Sequence, residues 1–159
     1  TEDADPSFRI LILGDSLTEG FGVLAEEAYP SLLEEKLNTE LMREACQYLI
    51  GKHDFSSFRA SSCQSNNHIR DMISIELEVD KFISIRFTAN AFLHHMIRNI
   101  VGTLLDVGTE KISPKDLIRI LQAKDRNAAS KTASAEGLYL ARVNYPEKYG
   151  FPFRTNEMI

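Results

Sequence analysis

Cysteine is scarce in this 159-residue chain: only Cys46 and Cys63 are present. Their spacing matches neither a metal-ligand motif nor a disulfide framework, which excludes a zinc module and a disulfide-stapled scaffold and suits a reducing cytosol. No apolar run approaches membrane-spanning length, and no charged-then-apolar leader opens the chain, so neither insertion nor secretion is expected and a cytoplasmic setting is. Low-complexity tracts and internal repeats are also missing, which argues against a solenoid or a disordered linker. What is present is ordinary for a soluble globular domain: 43% hydrophobic and 26% charged residues, with enough length to bury a real core.

Charge is unevenly divided. The net charge is -5, yet residues 1–40 hold ten acidic and two basic side chains, whereas residues 41–159 hold thirteen acidic, sixteen basic and all four histidines. The split suggests two pieces, 1–38 and 39–159, of which the second is the one able to meet a polyanion.

The longest patterned stretch is Ala89 to Gly108, ANAFLHHMIRNIVGTLLDVG. Phe92, Leu93, Met96, Ile97, Ile100, Val101, Leu104 and Leu105 recur at helical steps and predict a central buried helix over about 90–107. His94, Arg98 and Gly102 fall four apart on the other side, a titratable ring, a permanent cation and a position that admits another backbone or a ligand.

Before it, Met72–Val79 and Phe82–Thr88 alternate around Asp80-Lys81 and predict an antiparallel hairpin. Thr39 is expected to cap a helix over 40–50 that Gly51 ends, with Leu41, Ala45, Tyr48 and Leu49 inward. Ser113-Pro114-Lys115-Asp116 is a helix start, and the helix to Ala123 should bury Leu117, Ile118, Ile120 and Leu121. Leu138 to Tyr145 alternates again and should close the sheet. The order predicts an α+β fold, an antiparallel sheet with helices packed on one face. At the start of the chain, Phe8–Leu13 reads as a strand, Gly14-Asp15-Ser16 as a sharp turn and Ala25–Leu37 as a helix, and Thr1–Ser7 as a frayed end.

GDSLTEGFG, Gly14 to Gly22, followed by AEEAYPSLLEEKL, resembles the first block of the GDSL (SGNH) esterases and lipases over about residues 8–37. The resemblance implies Ser16 as nucleophile, with its own backbone N–H helping to bind the oxyanion. That chemistry also needs an aspartate three residues before a histidine. Ile50, Ser65, Ala91 and Phe92 stand at those positions before His53, His68, His94 and His95.

A longer resemblance begins at Leu41. GKHDFSSFRASSCQS (51–65), the central 89–108 stretch, LQAKDRNAAS (121–130) and AEGLYLARVNYPEKY (135–149) resemble, in order, the C-terminal half of the tRNA pseudouridine synthase A family. This resemblance implies a tRNA partner, uridine isomerisation in the anticodon stem-loop region, and no cofactor or metal. It assigns Arg98 as the basic partner of a catalytic aspartate and Leu138 to the pocket wall. Arg59, Arg70, His94 and Lys124 become candidates for phosphate or base contacts. The aspartate of the family's R-T-D-x-G-V motif does not occur here, and the nearest string, Arg154-Thr155-Asn156, carries an amide. Three readings stay open at this point: a pseudouridine synthase half that binds RNA, a serine hydrolase using Ser16, and an inactive chimera of the two. A half sheet should also leave a strand edge, to be covered by Phe8–Leu13 or by a second copy in a homodimer.

Overall fold

The computed structural model describes residues 10–16, 37–79, 83–135 and 137–143, with backbone alone for 10–16 and 141–143. The expected helix over 25–37, apart from its last residue, lies outside the described residues, as do the frayed end, Asp80-Lys81, the last two residues of the 138–145 strand and the Arg154-Thr155-Asn156 string.

Five strands form one sheet: β1 (Ile10–Ser16), β2 (Gly51–Asp54), β3 (Ile69–Val79), β4 (Ile83–Ala89) and β5 (Leu138–Val143), in the order β2-β3-β4-β1-β5. The predicted hairpin is present, with Val79 opposite Ile83 and Leu77 opposite Ile85. Ile83, Ile85, Phe87 and Ala89 are buried, while Ser84, Arg86 and Thr88 alternate to the other face. On β3 the alternation jumps from Met72 to Ile75 because the register shifts between Met72 and Ser74, which turns Ile73 outward at 55% exposure. β2, β3 and β4 are antiparallel, as the alternation implies. β1 and β5 are not: β1 runs parallel to β4, and β5 parallel to β1, so the far side of the sheet is parallel.

The helices are α1 (Thr39–Gln47), α2 (Met96–Gly108) and α3 (Asp116–Ala123). Asn38, not Thr39, caps α1; its side-chain oxygen accepts from the Leu41 N–H at 3.2 Å. Met42, Ala45, Cys46 and Leu49 are the buried positions, whereas Leu41 and Tyr48 are half-buried. α1 is locked to the end of α2 by the Asn38 N–H donating to the Gly108 carbonyl at 2.8 Å. At the start of α3 the Ser113 N–H and hydroxyl both donate to the Asp116 carboxylate, and the helix buries Leu117, Ile120 and Leu121 but leaves Ile118 38% exposed. α2 is the most enclosed element. Met96, Ile100, Val101, Leu104 and Val107 are inaccessible to solvent, and Asn99 and Thr103 are buried with them.

Candidate functional site

Helix α2 begins later than the apolar pattern suggests. His95 precedes it in the left-handed region, at φ 60°. Phe92, Leu93 and His94 therefore form a turn ahead of the helix, closed by the Met96 N–H donating to the Leu93 carbonyl at 3.0 Å. A non-glycine residue at positive φ is strained and persists only where the surroundings enforce it. Here the His95 carbonyl accepts from the Asn99 N–H at 3.0 Å, and the His94 carbonyl accepts from the Ala60 N–H at 2.9 Å. The two imidazoles stack, with centroids 4.0 Å apart and planes tilted 37°.

A second segment, 126–133, is strapped across α2. Its 3₁₀ turn, Arg126–Ala128, begins at Arg126. The Cβ that Gly102 lacks would lie 1.8 Å from the Lys131 carbonyl oxygen, so the strap can lie this close only over a glycine. Asn99 ties the layers together. Its amide nitrogen donates to the Phe58 carbonyl at 2.6 Å, and its amide oxygen accepts from the Thr132 hydroxyl at 2.6 Å and an Arg126 Nη at 3.1 Å. Thr103 adds a relay, donating to the Asn99 carbonyl and accepting from the Ser130 N–H.

The strap holds Arg98. The Ala133 N–H donates to the Arg98 carbonyl at 3.0 Å, and the Arg98 Nε donates to the Ala133 carbonyl at 2.8 Å. Among the described residues no carboxylate forms an ion pair with this guanidinium. Arg126 likewise bonds only neutral oxygens there, those of Ala129, Asn99 and Thr132. His95 feels both arginines: burial, the neighbouring His94, Arg98 and Arg126 all depress its affinity for a proton, in that order. The guanidinium groups of Arg98 and Arg126 and the imidazoles of His94 and His95 thus form one basic cluster at the start of α2.

The other candidate residues are placed differently. Arg59 follows the 3₁₀ turn Ser56–Phe58 and sits next to Ala60, the residue bonded to His94. Arg70 folds back on its own loop, donating to the Asn67 and Ile69 carbonyls and the Ser65 hydroxyl, while its Nε is buried without a partner among the described residues. Lys124, left-handed after α3, lies 3.5 Å from the Asp54 carboxylate. Burial acts to raise the Asp54 carboxyl, but the Ser56 hydroxyl and N–H together with Lys124 outweigh it and hold it below its ordinary range. Leu138 opens β5 opposite Ile12 and packs against the core cluster. Ser16 is the last paired residue of β1, between Ala89 and Val143; Gly14-Asp15-Ser16 belongs to the strand, not to a turn. Arg126, Asn99 and His95 escape a reading of the sequence. Arg126 and Asn99 act through contacts between distant segments, and nothing in the apolar pattern marks His95 as the break. Among the described residues no three His, Cys, Asp or Glu side chains gather as a metal site.

Helices on one face of a sheet, with two guanidinium groups and two stacked imidazoles at the start of the buried helix, define an α+β domain whose candidate site is built on that helix. The tRNA pseudouridine synthase family model matches residues 45–146, and the chain belongs to that family. It is 44% identical over 146 residues to tRNA pseudouridine synthase A of Vibrio campbellii, covering 91% of this chain and 54% of the relative. The corresponding protein of Tolumonas auensis is 46% identical over 147 residues, again 91% of this chain and 54% of the relative. That of Pseudoalteromonas translucida is 50% identical over 117 residues, 73% of this chain and 44% of the relative. The chain spans about half the length of the curated relatives it matches. These matches lend no support to the esterase-like reading of the first segment or to a chimera.

Proposed function

We propose that this chain is the arginine-bearing, RNA-contacting half of a tRNA pseudouridine synthase, with tRNA as partner and a cytoplasmic setting. The observation that carries the reading is Arg98. It is half-buried, anchored by Nε to the Ala133 carbonyl, and unmatched by a carboxylate among the described residues, on the helix that lies within the family match. A guanidinium so placed keeps an incoming aspartate ionised and oriented, because its charge favours the carboxylate form and its planar donors fix the geometry. The aspartate comes from outside these 159 residues. It would serve the cleavage of the N1–C1′ glycosidic bond, and the protein would then hold the detached uracil while it turns and forms the C5–C1′ bond, the hydrogen on C5 leaving as the proton that the release assay reads. Leu138, at the start of β5, gives the base an apolar wall, and the basic cluster holds the flanking backbone.

The test combines tRNA binding with tritium release from 5-tritiated uridine in tRNA. The chain alone should bind tRNA and release nothing. Adding the first half of a relative, with its aspartate, should restore release, and Arg98→Ala should abolish that restoration. Release by the chain alone, or equal release with Arg98→Ala, would sink the reading.

A further inference from the structure

We propose that Thr132 is a positioning residue for the reaction. It clasps the strap to α2 and so keeps the Arg98 Nε on the Ala133 carbonyl. That leaves the end of the guanidinium, its two Nη groups, for the incoming carboxylate. The proposal rests on the function read above and adds the direction in which the carboxylate is met and the side chain that sets it.

A guanidinium offers a carboxylate paired donors on its side, from Nε and one Nη, or on its end, from both Nη. In Arg98 the Nε–H donates to the Ala133 carbonyl at 2.8 Å, and a carbonyl seated there blocks the side. Among the described residues the two Nη groups have no hydrogen-bond or ion-pair partner, so the end is what remains. Ala133 is buried and brackets the arginine, since its N–H also donates to the Arg98 main-chain carbonyl at 3.0 Å. Where its own carbonyl stands depends on how the strap lies across α2.

Thr132 decides that. Asn99 is buried and cannot reverse its amide, because the amide nitrogen donates to the Phe58 carbonyl at 2.6 Å. The amide oxygen therefore faces the strap, where the Thr132 hydroxyl donates to it at 2.6 Å. The same hydroxyl accepts from an Arg126 Nη at 3.0 Å, so its donor and an acceptor site are both engaged. This is the tie next to Ala133 in the chain. The others lie farther back: Gly102 makes room for the Lys131 carbonyl, and the Thr103 hydroxyl accepts from the Ser130 N–H at 3.3 Å. Thr132 is itself exposed, so it contributes through these bonds and not by filling the core.

Without the hydroxyl the Ala133 carbonyl shifts and lets go of Nε. A freed Nε–H then competes with the Nη groups for the carboxylate, and the pair forms in more than one orientation. Such misplacement lowers the rate at saturating substrate more than it lowers affinity.

Two measurements on the intact chain test this. In nitrogen spectra of the arginine side chains, the Arg98 Nε–H should exchange slowly with water. Thr132→Val should make it exchange like an exposed arginine, and Thr132→Ser, which keeps the hydroxyl, should leave it slow. In tritium release with the first half of a relative added, Thr132→Val should lower the rate at saturating tRNA by about tenfold to a hundredfold. Affinity for tRNA should change little, and Thr132→Ser should restore the rate. Adding that half should shift the Arg98 Nη signals while the Nε–H stays slow. An Nε–H that remains slow in Thr132→Val, or one that quickens when the first half binds, overturns the proposal. So does a rate that Thr132→Val leaves unchanged, a loss confined to tRNA affinity, or a loss that Thr132→Ser shares. A wild-type chain that releases nothing with the first half overturns the function read above and the carboxylate's approach with it; the clasp on Arg98 is then judged by the exchange alone.

Discussion

Gly102 lets a carbonyl lie where a side chain would stand, and the carbonyl belongs to Lys131, not to a movable side-chain tip. Gly102→Ala must therefore push the strap off α2, at a cost of about 2 to 4 kcal/mol, readable as a lowered urea midpoint. Asn99 is the polar counterpart. Replacing it by alanine leaves the Phe58 carbonyl and the Thr132 and Arg126 donors without their partner, and the expected loss is about 2 to 3 kcal/mol in the same measurement. Because the strap also carries the Ala133 carbonyl, both variants should weaken tRNA binding more than Arg70→Ala, whose side chain serves its own loop. His95 adds a pH effect without ligand. Its proton is bound less readily in the fold than in the unfolded chain, so its contribution to stability is complete above the ordinary histidine range and is lost as pH falls through the folded value. Unfolding followed from about pH 7.5 to 5 should show a falling midpoint that His95→Asn reduces. A midpoint independent of pH over that interval would contradict the charge arrangement.

Among the elements, the β3–β4 hairpin and the buried side of α2 could be read from sequence because each repeats a local period that burial then rewards. Met96, Ile97, Ile100, Val101, Leu104 and Leu105 all lie in the core as their spacing implies. The start of α2 could not be read this way. The apolar period runs through Phe92 and Leu93 without interruption, and neither Gly nor Pro marks the left-handed residue that breaks it at His95. The strap was legible only in part. Gly102 signalled a close approach, but its visitor is Lys131 and the Arg126–Asn99 bond joins residues 27 apart, beyond any local pattern. The direction of β1 was equally hidden, since alternation shows faces and says nothing of parallel or antiparallel pairing. Within α1, burial pushes the Cys46 thiol up to about 12, so it remains protonated and enclosed. Iodoacetamide on the native chain should label the half-buried Cys63 and spare Cys46 until the protein unfolds, as intact-mass measurement would show.

For the molecule as a whole, the arrangement of the sheet decides what can be removed. β1 lies between β4 and β5, and among the described residues β5 bonds to no other strand. A chain beginning at residue 37 would expose the β4 edge and release β5, together with Leu138. It should sediment as dimers or larger species, and amide exchange at 138–143 should be fast; a compact monomer with protected 138–143 amides would count against this account. The first strand thus covers the edge that the sequence leads one to expect, which removes the reason for two copies to pair there.

The placement of β1 also bears on synthesis at the ribosome. Strand β1 is held in the finished sheet by β4, about seventy residues later in the sequence, and by β5, later still. It must wait, unpaired, until both have been made. Any nascent chain halted before Leu138 would carry a sheet open on that side, so stalled products should aggregate or attract chaperones while completed ones do not.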